Sequence, residues 1–175
     1  VAHGTMAFHF DKPAGFEFKA GQAIDVILLE SPAADAQSAR HTFSIVSAPF
    51  EKELVIATRM RDSAFKRALG ALPIGASIAI EGPFGSLTLH NDRARPAVLI
   101  AGGIGITPFV SIVRQAADEW LQQRLVLLYS NRRPEDAAYL AELQELERHN
   151  ALYRLTATMT LMSSSSQPWT GSQGL

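Results

Sequence analysis

The stretch that decides the fold spans residues 97–108 and reads AVLIAGGIGITP. Its opening run, AVLIA, is entirely apolar, as expected of a parallel strand that is buried on both faces. Glycines follow, and a glycine-rich turn lets the backbone reverse sharply after a strand. Thr107 is a good helix N-cap, and Pro108 suits the first position of a helix. The stretch therefore predicts a buried strand, a tight turn and the start of a helix.

Downstream of this stretch, strands and helices alternate. The helix that begins near residue 108 carries apolar residues on one face at helical spacing, with Trp120 as the last of them. A second apolar strand covers 124–129, a second helix covers 134–149, and a third strand runs from 152 to about 160. This βαβαβ pattern predicts a thin sheet of three parallel strands over residues 94–175. We expect the domain to continue beyond this chain, or an edge strand to be supplied elsewhere.

Upstream, residues 1–93 contain short apolar or alternating stretches that are separated by Gly, Pro, Asp or Ser. The predicted strands are 7–10, 23–29, 42–46, 54–58, 77–80 and 86–89. Six strands at this spacing predict a small antiparallel barrel. A short helix at 64–69 interrupts them, with Asp62 or Ser63 as its N-cap and Gly70 as its stop. The predicted fold class is β followed by α/β, with the domain boundary between residues 93 and 94.

Composition excludes several classes of protein. The 175 residues carry 16 Lys and Arg against 17 Asp and Glu, so the chain lacks the basic surplus of a general nucleic-acid binder. At 47% hydrophobic and 19% charged residues, it is too apolar for a disordered chain. The absence of cysteine excludes disulfide scaffolds, thiolate zinc sites and Cys-ligated iron–sulfur clusters within it. We predict no metal site.

Residues 96–113 are uncharged over 18 positions, which is long enough to raise the question of a membrane span. Glycines and Pro108 interrupt this run, and no neighbouring span exists to satisfy the backbone groups that they free. The N-terminus shows no basic region followed by an apolar segment, as a signal peptide would. We therefore expect no membrane span in this chain and a cytoplasmic location.

The glycine turn is a candidate anion site. N–H groups in the first turn of a helix point toward an anion placed over them, and glycine leaves no Cβ in the way. The candidate residues are Gly102, Gly103, Ile104, Gly105, Thr107 and Pro108. Pro108 stands where the usual dinucleotide fingerprint has its third glycine. The alternative is a tight strand-to-helix connection without a ligand.

A second candidate site follows the second parallel strand. Ser130, Arg132 and Arg133 are expected at the same edge of the sheet as the glycine turn. Arginines there can hold a phosphate group bidentately. The alternative is a solvated basic loop before a helix.

A third candidate site lies on the barrel. Arg59 and Arg61 precede Ser63 and Ala64, where the short helix begins. A diphosphate at this helix start would find positive charge and N–H donors together. The alternative is a surface cluster of charges.

Residues 40–49 read RHTFSIVSAP and place hydroxyl groups at alternate positions of a strand. Thr42 and Ser44 share one face, and Phe43 points the other way. A flat aromatic ligand with polar substituents fits such a strand. The alternative is a half-buried barrel strand whose hydroxyls bond across to its neighbours.

Together these segments resemble the ferredoxin–NADP reductase-like family of flavin oxidoreductases. HTFSIVSAP at 41–49 looks like the family's flavin-binding strand, in the His-x-Phe-Ser form of ferric-reductase-like members. EGPFG at 81–85 is similar to the segment that closes the flavin barrel, and GGIGITP at 102–108 matches the nicotinamide-side loop. The order and spacing of these motifs agree along essentially the whole chain.

The resemblance implies FAD and NADPH or NADH as cofactors, with hydride passing from the nicotinamide C4 to the flavin N5. Electrons then leave to a separate acceptor, a protein or a small molecule. Ser44 is the candidate catalytic residue, forming a hydrogen bond near N5, with Phe43 beside the ring or ribityl chain. The residues implied on the flavin side are Arg40, His41, Thr42, Phe43, Ser44, Ile45, Arg59, Arg61, Ser63 and Ala64. On the nicotinamide side they are the glycine-turn residues with Ser130, Arg132 and Arg133.

The chain departs from the family pattern in two ways. His41 occupies the position of the family's common arginine, so Arg59 becomes a better phosphate candidate than Arg40. The family's nucleotide domain usually has more parallel strands than the three predicted here, so the resemblance implies a C-terminally incomplete domain.

The loop after the second parallel strand favours NADPH. It offers Ser130 and two arginines, with no Asp or Glu before Glu135 to grip a ribose diol. An ordinary Rossmann dehydrogenase is disfavoured by Pro108 and by this missing acid. The remaining alternative is a flavin- or nucleotide-binding module without independent turnover.

Overall fold

The protein is described by a computed structural model that covers residues 1–29 and 39–174. In these residues the strands are β1 (Thr5–Asp11), β2 (Ala23–Leu28), β3 (Arg40–Ser44), β4 (Glu53–Arg59), β5 (Ile78–Phe84), β6 (Ala97–Gly102), β7 (Leu125–Asn131), β8 (Tyr153–Met159) and β9 (Ser172–Gln173). The helices are α1 (Ala64–Ala71), α2 (Thr107–Asp118) and α3 (Leu140–His149). Strands dominate the first half of the chain, and strands and helices alternate in the second, as the sequence predicts.

The first half of the chain is an antiparallel arrangement around one apolar core. β1 pairs with β4 along its whole length, and β2 lies between β3 and β5. The two sheets are joined where Ile45 bridges Ile56 and where the Val46 N–H donates to the Val55 carbonyl at 2.8 Å. Alternate side chains point inward, and the enclosed residues include Ile24, Val26, Phe43, Ile45, Leu54 and Ile56.

The predicted sixth strand at 86–89 is wrong, because the described part of this half contains five strands. Residues 86–89 instead run as a loop that is packed against the turn at Gly21. A Cβ on Gly21 would lie 1.9 Å from the Leu87 carbonyl oxygen, and the φ of +96° there is one that glycine adopts readily. The backbone at Leu87 therefore contacts a turn rather than a neighbouring strand, and no ladder forms.

Helix ends agree only partly with the sequence. Ser63 is the N-cap of α1, as predicted, since its hydroxyl accepts a hydrogen bond from the Lys66 N–H at 3.3 Å. The helix runs through the predicted stop at Gly70 and ends at Ala71. Trp120 is not on the buried face of α2, because it lies beyond the end of that helix and is 79% exposed.

The second half is a parallel sheet in the order β6-β7-β8-β9. Its first three strands are those that the sequence predicts, and β9 is a fourth that pairs with Thr158 and Met159 of β8. A strand this short has no apolar run for sequence analysis to detect. The helices α2 and α3 cover the face that buries Leu99, whereas Val98 and Ile100 on the opposite face are 60% and 70% exposed.

The predicted helix over 134–149 is interrupted. A 3-10 turn at Pro134–Asp136 precedes α3, and Tyr139 between them is left-handed with φ +61°. The Tyr129 hydroxyl donates to the Ala138 carbonyl at 3.1 Å, which takes that carbonyl out of a helical ladder. The 3-10 turn therefore ends at Asp136, and α3 is a separate helix that begins at Leu140.

The two halves share a core at β4. Leu54 and Ile56 point into the barrel, while Val55 and Ala57 point outward and pack with α2 and the parallel sheet. All four side chains are buried, so this strand is covered on both faces. The barrel and the sheet are thereby held together by apolar contact rather than by a linker alone.

Candidate nucleotide-binding site

The glycine turn lies at the carboxyl end of β6. Gly102 ends the strand, and a 3-10 turn at Gly103–Ile106 leads into α2. Gly103 has φ +51°, and a Cβ added at Gly102, Gly103 or Gly105 would meet no atom within 4 Å. The backbone of the turn is therefore open to close approach by a ligand, and the first N–H groups of a helical turn have no partner within it.

Thr107 is not the N-cap that the sequence predicts. It is the first residue of α2, it is buried, and its hydroxyl donates to the Ile104 carbonyl at 3.2 Å. The 3-10 turn extends the helical backbone upstream of Thr107, whereas an N-cap needs an extended conformation. Pro108 is buried as well. These two side chains support the turn from inside, and the glycines form its outer surface.

The parallel register places Ser130 of β7 beside Gly102 of β6. The two arginines that follow differ in their surroundings. Arg133 pairs bidentately with Asp136, with Nε–Oδ2 2.8 Å and Nη2–Oδ1 2.9 Å, whereas the Arg132 side chain is exposed. Within the described residues only Arg133 of the two is ion-paired. Of the two arginines, Arg132 is thus the one whose side chain is open to solvent.

Two carboxylates at this edge were not among the predicted site residues. Asp136 is buried, and its hydrogen bonds from Arg133 hold its pKa below the usual range. Glu135 accepts hydrogen bonds from the Ser165 hydroxyl at 2.8 Å and from the Ser166 N–H at 3.1 Å. The N–H groups of Glu135 itself and of Ser166 lower the pKa of Glu135 to about 2. The three-residue spacing of Arg133 and Asp136 was the signal available in the sequence.

Arg59, the last residue of β4, lies where the two halves of the protein meet. Its Nη2 donates to the Asp136 carbonyl at 3.2 Å, and its own carbonyl accepts from Lys66 Nζ of α1 at 2.8 Å. Residues 61–64, at the start of α1, are exposed. The structure thus brings the predicted diphosphate segment of the barrel against the turn that follows β7.

Two carboxylates on neighbouring strands pair with Arg40, whose side chain is 41% exposed. Its guanidinium pairs with Asp25 of β2, Nε–Oδ2 2.8 Å, and with Glu81 of β5, Nη2–Oε2 2.7 Å. Thr42 lies opposite Asp25 in the strand register and donates its hydroxyl to the same carboxylate. The hydrogen bonds from Thr42 and Arg40 hold the pKa of Asp25 below its usual range. Of the predicted ligands on this strand, Arg40 and Thr42 are therefore already engaged by carboxylates.

The remaining residues of β3 alternate between the two faces. Phe43 is buried, with its ring centroid 4.8 Å from that of the exposed His41 and 5.9 Å from that of Phe65 in α1. Ser44, on the other face, is half-buried. Ile45 is fully buried, so its side chain does not reach a ligand on the surface.

Two kinds of site are not found in the part of the chain that the structure describes. Within residues 1–29 and 39–174, no helix combines the length and the apolar character needed to cross a membrane. In the same residues, no three His, Asp or Glu side chains are grouped as they would be around a metal ion.

These placements give two candidate anion-binding edges on one body. One is the glycine turn with Ser130 and Arg132, at the carboxyl edge of a parallel sheet, where open α/β sheets bind nucleotides. The other is the exposed start of α1 beside Arg59. A barrel that carries one such edge, joined to a sheet that carries the other, defines a class of dinucleotide-binding proteins.

Comparison with known proteins supports this class. The family model of the oxidoreductase NAD-binding domain matches residues 99–175. Ferredoxin–NADP reductase B of Sorangium cellulosum is 30% identical over 172 residues, which cover 97% of this chain and 67% of that protein. The reductase component of propane 2-monooxygenase from Rhodococcus jostii is 31% identical over 138 residues, which cover 78% of this chain and 36% of that protein. Among solved structures, the Amycolatopsis cytochrome P450 reductase GcoB matches with a TM-score of 0.79 and 22% identity, over 100% of this chain and 52% of that one.

The chain therefore belongs to the ferredoxin–NADP reductase-like family. It spans about a third to a half of the length of the monooxygenase reductase subunits that it matches. The solved structure extends the likeness in fold from the parallel sheet to the barrel.

Proposed function

We propose that this chain is a flavin oxidoreductase that takes hydride from NAD(P)H onto FAD and passes electrons to a separate acceptor. Residues 1–93 bind FAD and residues 94–175 bind the nicotinamide nucleotide. The observation that supports the proposal is the 3.2 Å contact between Arg59 Nη2 and the Asp136 carbonyl, which joins the end of β4 to the turn that follows β7. Hydride transfer needs such proximity, because the reacting atoms must come within about 3–3.5 Å of each other.

The barrel fits FAD at two places. The exposed start of α1 offers N–H groups and Arg61 to a diphosphate, and Arg59 adds a second guanidinium. On β3, the half-buried Ser44 forms the proposed hydrogen bond to the flavin near N5, and the buried Phe43 packs beneath the strand. When bound, FAD supplies the redox chemistry by accepting hydride and releasing electrons one or two at a time.

The sheet fits a nicotinamide nucleotide. The open glycine turn and Ser130 receive its phosphate groups, because no Cβ blocks their approach. Arg132 binds the 2′-phosphate of NADPH, whereas Arg133 is held by Asp136 and shapes the turn. NADPH is therefore the preferred nucleotide.

The acceptor is a separate protein or a small molecule. The Rhodococcus relative is the reductase component of a monooxygenase, and it supports a protein acceptor for this chain. The 175 residues contain no cysteine, so no cysteine-ligated iron–sulfur cluster within them receives the electrons.

The colour of the protein tests the proposal. The purified chain is saturated with FAD and mixed anaerobically with NADPH, and the visible absorption of the flavin is followed. Loss of the yellow colour within one turnover supports the oxidoreductase. A protein that binds FAD and stays yellow supports the alternative, a binding module without independent turnover, and a protein that binds no flavin contradicts the oxidoreductase.

The binding module is kept as a second candidate because of one observation on the sheet. Val98 and Ile100 are 60% and 70% exposed on a face that parallel sheets normally cover. If that face needs a further segment before the nucleotide binds, this chain alone holds flavin without being reduced.

A further inference from the structure

Helix α2, which starts at the glycine turn, is hydrogen-bonded to the segment that follows β3. The Ser111 hydroxyl of α2 donates to the Ser47 carbonyl at 2.7 Å, and neither residue is exposed to solvent. The Ser47 hydroxyl in turn accepts from the Val55 N–H of β4 at 2.9 Å. One buried residue, three positions after Ser44, is thus held by the barrel on one side and by α2 on the other.

Arg114, one turn further along α2, makes a second contact between this helix and the barrel. Its Nη1 lies 3.2 Å from Glu51 Oε1 in the barrel, and its Nε and Nη2 bond to Glu142 of α3 at 2.6 and 2.9 Å. The Glu51 carboxylate also accepts a hydrogen bond from the Ala48 N–H at 2.7 Å, which stabilises the turn that follows Ser47. The side chain of Arg114 is only 20% exposed, which limits the screening of these ion pairs by water.

We propose that Ser111 and Arg114 are positioning residues that set the separation between the glycine turn and Ser44. The inference rests on the proposed function, since it assigns a role in aligning the nicotinamide with the flavin. We call the hydrogen bond between Ser111 and Ser47, together with the Arg114 ion pair to Glu51, the clamp. Ser111 lies one helical turn after Thr107, and Ser47 lies three residues after Ser44, so the clamp is close along the chain to both the glycine turn and Ser44. Both residues act through the position of the backbone that they hold.

Alignment of this kind has a large effect on rate. A misplacement of about 1 Å, even from a change far from the chemistry, can lower the rate about 100-fold. The affinity for the nucleotide depends on contacts to its phosphate groups, which are remote from the nicotinamide. The affinity is therefore less sensitive to such a misplacement. A positioning role therefore predicts loss of the hydride-transfer rate with little change in affinity.

The first test is stopped-flow reduction of the FAD-loaded chain by NADPH. We expect Ser111→Ala and Arg114→Lys to lower the limiting rate of flavin reduction about 10- to 100-fold while the Kd for NADPH changes less than about threefold. Arg148→Ala, which removes an exposed ion pair with Glu145 on α3, is the matched control and keeps the wild-type rate. Arg114→Lys keeps the charge, so it remains informative if Ser111→Ala does not fold.

The second test does not depend on turnover. Because the chain has no cysteine, Asp11→Cys on β1 and Arg124→Cys directly before β7 allow two spin labels at exposed positions. The distance distribution between the labels is expected to broaden in Ser111→Ala and in Arg114→Lys, and to stay narrow in Arg148→Ala. An unchanged distribution overturns the inference, as does a broadened one with an unchanged rate of reduction. If the wild-type chain is not reduced at all, the proposed function fails, while the distance distribution still decides whether the clamp sets the separation.

Discussion

Arginine side chains at the predicted sites differ in whether carboxylates already hold them. Arg40 and Arg133 are ion-paired, the first with Asp25 and Glu81 and the second with Asp136. Arg59 contacts a backbone carbonyl, and Arg132 is exposed. An arginine that is already ion-paired must break those ion pairs to bind a phosphate. Ligand binding should therefore respond differently to mutation of the ion-paired arginines than to mutation of Arg59 or Arg132.

Arg59→Ala is expected to weaken FAD binding more than Arg40→Ala. A charge-assisted contact to phosphate contributes about 1.5–3 kcal/mol, or roughly one to two decades in Kd, and the Arg40 guanidinium is engaged by two carboxylates. Titration of both apo-variants with FAD measures the difference. Equal losses, or a larger loss for Arg40→Ala, would overturn the assignment.

Arg132→Ala is expected to lower kcat/KM for NADPH by roughly one to two decades and to leave NADH nearly unchanged, because the lost contact is to the 2′-phosphate. Arg133→Ala is the matched control at the next position. Its loss leaves the buried Asp136 carboxylate without its bidentate partner, so it should lower the urea midpoint of unfolding instead. A wild type that prefers NADH, or an Arg132 variant that loses both nucleotides equally, contradicts this reading.

At the scale of elements, the turn after β7 is stabilised by Glu135. The folded pKa of about 2 lies below the usual value of 4.5, so the charged form is favoured by folding. Its contribution is fully present above about pH 4.5 and is lost as the pH falls toward 2. The loop at Ser165 and Ser166 depends on the same carboxylate.

Glu135→Gln is therefore expected to be less stable than the wild type at pH 7, with a gap that narrows as the pH falls. Urea unfolding at pH 7, 5 and 3 measures it. Glu145→Gln, which removes an exposed carboxylate on α3, should show a small gap at every pH. A Glu135→Gln gap that is the same at all three pH values would show that charge is not the cause.

At the scale of the whole molecule, the barrel and the sheet share one apolar core. Ile112 of α2 is 2% exposed, and its side chain lies against the Gly21 turn of the barrel. Val55 and Ala57 of β4 belong to the same cluster. A substitution in this shared core should therefore lower the stability of both the barrel and the sheet.

Ile112→Ala is expected to cost about 2–5 kcal/mol of unfolding free energy, the usual range for emptying a buried site of this size. Hydrogen exchange should show equal loss of protection in β4 and in β7, because the halves unfold together. Ile100→Ala, at a position that is 70% exposed, is the control and should change stability little. Loss of protection confined to β7 would mean that the halves unfold independently.

Much of the element order could be predicted from the sequence. The apolar runs at 97–101 and 124–129 became β6 and β7, Ser63 became a helix cap, and Thr42 and Phe43 point to opposite faces. The predicted strand at 86–89 and the continuous helix over 134–149 could not be corrected from sequence. Their backbones are diverted by contacts with distant residues, Gly21 in one case and Tyr129 in the other.

Local sequence was sufficient to predict most of the strands and the Ser63 cap, because these depend on the periodicity and backbone preferences of neighbouring residues. Only the tertiary structure decided which predicted ligands are available. Asp25 lies opposite Thr42 in the pairing of β2 with β3, and this register brings its carboxylate to Arg40. The open turn at Gly102 and the exposed Arg132 meet at one edge because parallel strands end together. Charges that are far apart along the chain neutralise one another only when the register of the strands brings them within hydrogen-bonding distance.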